Sequence, residues 1–297
     1  MILVFGGNGQ LGRELARAAV ARGVALESLV RSQADITDYS AIVGALKRYK
    51  PAIVINAAAY AKVDLAETEI EKARSDNAIG PANLAKACAE AQLSLVHIST
   101  DYIFNGAKRG AYSEGDPVYP ISTYGRSKAA GEVFVRSALS RHIILRTAWV
   151  YSEFGQNFLK TIVHLASTKD ELRIVADQRG SPTSASDLAS AILRIVPRLL
   201  SREDIWGTYH FAGAGATTWY GFAKRIVAAQ APLTGHTPRV TAISTADYPT
   251  AAPRPANSEL DCSRFVKVFG FGARPWTEET DAVTRAVVAE SERAHVA

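Results

Sequence analysis

After its first apolar residues the chain runs straight into glycine. Ile2 to Phe5 leads into Gly6-Gly7-Asn8-Gly9-Gln10-Leu11-Gly12, and Leu11, Leu15, Ala18 and Ala19 then recur at helical spacing. A short buried strand, a turn of residues without Cβ atoms and an immediate helix predict a βα unit. Its backbone N–H groups and positive helix end are open to an anion. The spacing is GxxGxxG, which makes Gly6, Asn8, Gly9, Gln10, Leu11 and Gly12 candidate contacts for a dinucleotide pyrophosphate.

The rhythm continues for the first half of the chain. Residues 25–30, 52–56, 93–99 and 142–147 read as buried strands, and 39–49, 77–92 and 124–137 as the helices between them. Residues 187–200 and 207–212 add a further helix and strand. This alternation predicts an α/β fold, a Rossmann-type doubly wound parallel sheet covered by helices on both faces. Beyond residue 150 Pro, Gly and Thr become frequent around 177–186 and 234–255, which predicts a smaller, discontinuous substrate-binding lobe. The expected division gives 1–149 and 184–214 to the dinucleotide-binding domain, and 150–183 and 215–297 to the substrate lobe.

Composition narrows the class further. With 297 residues, 47% of them hydrophobic and 21% charged, the chain suits an ordinary globular protein and not a disordered or collagen-like one. A net charge of +5 is scattered along the sequence, so no nucleic-acid surface is expected. No apolar run reaches the ~18 to 20 residues of a membrane helix, and the start lacks the basic and apolar regions of a signal peptide. No membrane association is therefore expected, and a cytoplasmic location is. Cys88 and Cys262 stand far apart, and His97, His142, His164, His210, His236 and His295 lack helix-spaced partners, so neither a disulfide nor a metal site is predicted.

Two places carry further chemistry. Where NAD-binding relatives of this pattern place an acid, at the end of the second strand, the chain has Arg31-Ser32. A guanidinium there suits a 2′-phosphate, so NADPH is the expected cofactor, with NADH open; Asp35 and Ile36 would lie beside the adenine. Tyr124 and Lys128 stand four apart on one predicted helix face, where a nearby ammonium lowers a phenol's pKa and makes it a usable acid. The pair recurs at Tyr220 and Lys224, but Tyr124 follows Ser99-Thr100-Asp101 at the carboxyl edge of a sheet strand, where such sheets bind ligands. Thr100 adds a hydroxyl able to hold a carbonyl oxygen beside Tyr124. Tyr220 is expected to be packing.

Taken together, Gly6 to Gly12, Asn56-Ala57-Ala58-Ala59, Ser99 to Phe104 and Tyr124-x3-Lys128 resemble the extended short-chain dehydrogenase/reductase family. Ala59 to Asp64, Arg146 to Tyr151, Asp177 to Thr183 and Arg254 to Leu260 are similar, more narrowly, to its dTDP-4-dehydrorhamnose reductases. The resemblance implies a reductase of a dTDP-sugar with Thr100, Tyr124 and Lys128 as the catalytic set. It adds Ala57, Ala58, Ala59, Tyr60, Tyr124 and Lys128 to the cofactor contacts. It implies substrate contacts at Val63, Asp64, Thr100, Tyr102, Tyr124, Trp149, Gln178 and Arg254, with the Trp149 face against the sugar. Some relatives pair through a magnesium ion held by Glu residues; Glu14 fits one such position, but Ser184-Ala185-Ser186 offers no acid at another. Homodimer and monomer both stay open. The rival readings are another sugar-nucleotide reductase, an epimerase that retains its cofactor, and a non-catalytic regulatory subunit.

Overall fold

The computed structural model describes residues 1–201 and 205–296, with side chains through residue 290, so the His295 side chain lies outside the described residues. The first strand, β1 (Ile2–Phe5), is buried at every position and passes through the glycine turn into α1 (Gln10–Ala21). Then follow β2 (Leu26–Leu29), α2 (Tyr39–Tyr49), β3 (Ile53–Asn56), α3 (Ile70–Arg74), α4 (Gly80–Glu90), β4 (Ser94–Thr100), α5 (Thr123–Ala138) and β5 (His142–Thr147). The chain crosses out through β6 (Val150–Tyr151), α6 (Phe158–Thr168), β7 (Glu171–Val175), β8 (Arg179–Gly180) and β9 (Thr183–Ser184). It returns through α7 (Ala185–Leu200) and β10 (Gly207–His210), and leaves again through β11 (Thr217–Thr218), α8 (Trp219–Thr234), β12 (Arg239–Ile243), α9 (Ser263–Phe269) and α10 (Trp276–Val296).

Six strands form one parallel sheet in the order β10-β5-β4-β3-β1-β2. Continuous apolar strands such as Ile53–Asn56 suit a sheet buried on both faces. One face is closed by Leu11 and Leu15 of α1 with Leu188, Ile192 and Ile195 of α7, the other by Ile42 of α2, Leu84 and Cys88 of α4 and Val135 of α5. The architecture is the Rossmann-type doubly wound sheet. After β1 the chain first adds β2 on one side and then β3 on the other, so the crevice at the switch point opens between the loops that follow β1 and β3.

A second cluster forms away from the sheet. Leu159 and Ile162 of α6, Leu172 of β7, Phe222 and Ile226 of α8, and Val287 and Val288 of α10 pack together around the parallel pair β7 and β12. This cluster draws on stretches of sequence that α7 and β10 separate. The α9 segment, expected with it, instead buries Phe265 and Phe269 beside Tyr209 of β10 and Ile195 of α7.

Residues 77–92 are not one regular helix. The turn at Ser75–Ile79 widens to a π-helix before α4 begins. Its cause is Asn77, fully buried, which accepts the Tyr60 N–H at 2.8 Å and donates to the Tyr60 carbonyl and the Ser127 hydroxyl at 2.9 and 3.0 Å. A local polar demand has overridden helical period there.

Candidate active site

A cleft of about 660 Å³ runs along the carboxyl edge of the sheet, between Asn8 to Leu11, Ala57 to Ala59 and the crossing at Trp149 to Tyr151. Its floor at one end is the glycine turn. Gly6 has φ +99°, and a Cβ on Gly12 would stand 2.3 Å from the Gly6 carbonyl oxygen, so the turn needs both glycines. Gly9 begins α1 with no side-chain cap, and the first turn holds no acid. These uncapped N–H groups and the positive helix end suit a pyrophosphate.

Thr100, Tyr124 and Lys128 all line the same cleft. Thr100 closes β4; its hydroxyl accepts the Tyr102 N–H at 3.2 Å and donates to Asp101 Oδ1 at 3.0 Å. The start of α5 is fixed twice. Ser122 caps it by accepting the Gly125 N–H, and Glu67 accepts the N–H and the hydroxyl of Thr123 at 2.7 Å each. Tyr124 and Lys128 then follow one helical turn apart. Lys128 is 2% exposed and donates through Nζ to the Ile98 carbonyl at 2.6 Å, and burial brings its pKa down to about 8.

The expected lowering of the Tyr124 pKa is not found. Burial pushes the phenol up to about 12, the neighbouring Asp101 carboxyl adds to the rise, and the Thr100 hydroxyl opposes it only in part. Such a phenol keeps its proton throughout the physiological range. It suits a donor better than a base.

Of the other expected residues, Asn8, Gly9, Gln10, Leu11, Ala57, Ala58, Ala59, Val63, Tyr102, Trp149 and Arg254 also line the cleft. Several do something different. Ile36, expected beside the adenine, is 4% exposed and packs in the core against Gly80, where a Cβ would meet its Cδ1 at 2.5 Å. Asp35 accepts from the Thr37 N–H and hydroxyl at 2.9 Å and pairs with Arg31, which also pairs with Asp76. Tyr60 is 6% exposed and donates its hydroxyl to Glu69. Asp64 fastens one rim to the other, taking Arg254 Nη2 at 2.7 Å and the Ala252 N–H at 3.1 Å.

Trp149, expected to lay a face on the sugar, has one face taken by another indole. Its ring stacks on Trp219 with centroids 3.5 Å apart and planes 5° apart, and Gly180 lies so close that a Cβ there would meet its Cε2 at 2.5 Å. Gln178 stands behind this stack: its Oε1 accepts the Trp219 Nε1–H at 3.2 Å, and its Nε2 donates to Thr245 at 3.1 Å. Trp219, Phe158 and Phe222 line the cleft without having been expected. Lys224 sits over the Tyr220 ring at 5.6 Å, and that pair does not line the cleft. Glu14, 2% exposed, is held within the chain by the Ser152 hydroxyl at 2.7 Å and by Arg17. No helix among the described residues is long and apolar enough to cross a membrane.

Residues 1–289 match the family described as RmlD substrate binding domain. A curated relative from Sinorhizobium fredii, named dTDP-4-dehydrorhamnose reductase, is 43% identical over 295 residues, 99% of this chain and 99% of its own. The solved structure of a dTDP-4-dehydrorhamnose reductase ortholog from Clostridium acetobutylicum superposes with a TM-score of 0.89 at 37% identity, covering 96% of this chain and 99% of its own. That of the Bacillus anthracis enzyme in complex with NADP gives 0.86 at 35%, covering 95% and 97%. With such matches along nearly its whole length, the chain belongs to the RmlD family, that of the dTDP-4-dehydrorhamnose reductases.

Proposed function

We propose that the chain is a cytoplasmic reductase that converts the 4-keto group of dTDP-4-dehydro-β-L-rhamnose to the hydroxyl of dTDP-L-rhamnose, with NADPH as reductant and Tyr124 as proton donor. One observation carries this reading: Thr100, Tyr124 and Lys128 converge in one cleft that is also lined by an uncapped glycine turn and by Arg254. The activity named for the relatives and the NADP bound by the Bacillus anthracis enzyme support it. When bound, the reduced nicotinamide supplies hydride to C4 of the sugar.

The chain's own residues have four tasks. Gly6, Gly9 and Gly12 let backbone approach the pyrophosphate. The Tyr124 hydroxyl and the Thr100 hydroxyl, which turns its one proton from Asp101 Oδ1, hold the carbonyl oxygen, and as charge develops on it the Tyr124 proton moves to it. Transfer from a phenol near 12 is downhill toward an alkoxide. Lys128, still mostly charged at neutral pH with a pKa near 8, holds the nicotinamide ribose and places a positive charge behind the reacting atoms. Arg254 meets the substrate diphosphate, exchanging part of its pairing with Asp64.

The test follows NADPH oxidation with dTDP-4-keto-6-deoxyglucose and a 3,5-epimerase in the same cuvette. Turnover that needs the epimerase is expected, and Tyr124→Phe lowers it by about 10²-fold or more while NADPH binding stays within about twofold. Near-full turnover in the variant overturns the role of Tyr124. Turnover without the epimerase overturns the substrate.

A further inference from the structure

Arg31, at the end of β2, is not a free cation. Its Nε lies 3.1 Å from Asp35 Oδ2, and its Nη2 is bonded to Asp76 Oδ1. The two carboxylates differ in setting. The Asp35 side chain is a third exposed, whereas that of Asp76 is 9% exposed and sits in the π turn before α4, a turn already fixed by Asn77. The Arg31 side chain remains half exposed, next to the glycine turn whose Gly6 and Gly7 N–H groups both bond to the Leu29 carbonyl of β2.

We infer that Asp76 sets the dinucleotide selectivity of this chain by holding Arg31 back from a 2′-phosphate. Two carboxylates on one guanidinium leave a local charge of −1 where the adenosine ribose would lie. A 2′-phosphate there competes with Asp76 for the same N–H groups, and drawing Arg31 away would strand a carboxylate that is nine-tenths buried. A ribose hydroxyl meets no such opposition and can itself donate to Asp35. NADH is thus admitted beside NADPH although an arginine stands at the selective position. This inference rests on the dinucleotide-binding part of the proposed function.

The experiment measures dissociation constants of NADPH and NADH by nucleotide fluorescence on the purified chain, with no sugar present. Asp76→Asn, which keeps shape and removes charge, is expected to tighten NADPH by about tenfold and leave NADH within about twofold. Asp35→Asn should move NADPH the same way by less, about threefold, and keeps the inference testable if Asp76→Asn fails to fold. In an Arg31→Ala background, Asp76→Asn should bring no NADPH-specific gain. An unchanged NADPH-to-NADH ratio in both asparagine variants overturns the inference, as does a gain that persists without Arg31. If the unaltered chain binds neither dinucleotide, the proposed function fails together with it. Binding of both with an unmoved ratio overturns the inference alone.

Discussion

Asp101 sits beside Thr100 at the base of the cleft, 2% exposed, and burial lifts its carboxyl from the ordinary range to about 7. Its folded pKa lies above its unfolded value, so the stability it contributes is full below pH about 4 and is lost as pH rises toward 7. The melting temperature of Asp101→Asn relative to the unaltered chain should therefore climb between pH 4 and 7; a constant difference would show that Asp101 does not titrate there. Lys128 has the opposite sign of shift, from 10.5 down to about 8, so its burial opposes folding below pH 8 and ceases to do so above 10.5. At this scale the sequence was partly legible. Tyr124 and Lys128 could be read because helical spacing alone decides whether two residues share a face. The direction of the Tyr124 shift could not, because it depends on how deeply the phenol is buried and on the Asp101 carboxyl beside it, and neither is written in local spacing. Nor could the burial of Ile36 be read, because Gly80 from a distant helix leaves the socket that its side chain fills.

The element that carries the chemistry, α5, lies unusually close to its neighbours. A Cβ on Gly125 would stand 2.2 Å from the Tyr102 carbonyl oxygen, and one on Gly131 would stand 2.1 Å from that of Asn77. Gly131→Ala should push α5 off the π turn and cost about 1–3 kcal/mol, read as a lower denaturation midpoint with little change in its slope. No loss of stability would mean that the turn yields without cost. The strands and helices of the sheet were legible because apolar runs of four to seven residues separated by helical periods have few other uses. The π turn was not, since residues 77–92 keep an acceptable helical pattern. Nor was the ion pair inside it all. Arg146 lies in the apolar strand β5, yet donates through Nε and Nη2 to Glu132 of α5 at 2.9 and 2.8 Å, both residues being buried.

Across the whole molecule, many side chains tie the second lobe to the sheet, among them Ser152 to Glu14, Arg254 to Asp64 and Arg274 to Asp187. Asn157 caps α6 by accepting the Lys160 N–H at 3.0 Å and donates to Gln10 of the glycine turn at 2.9 Å. Asn157→Ala should lower stability by about 1–2 kcal/mol from the lost cap and bonds and weaken dinucleotide binding, measured by thermal melts with and without NADPH; equal NADPH-induced shifts in both proteins would limit Asn157 to a capping role. Loosened composition after residue 150 marks where regular alternation ends, but not the packing of α9 against the sheet, which depends on where Phe265 finds an apolar neighbour. The crossing at Trp149 has a further consequence. Trp149 follows the sheet strand β5 and Trp219 opens α8, and both face-to-face indoles pack against the second hydrophobic cluster. Two such chromophores couple their transition dipoles. The chain should show a paired positive and negative band in its far-ultraviolet circular dichroism that vanishes in Trp219→Phe, and whose amplitude reports, without any label, how the crossing after β5 stands to α8 as ligands bind.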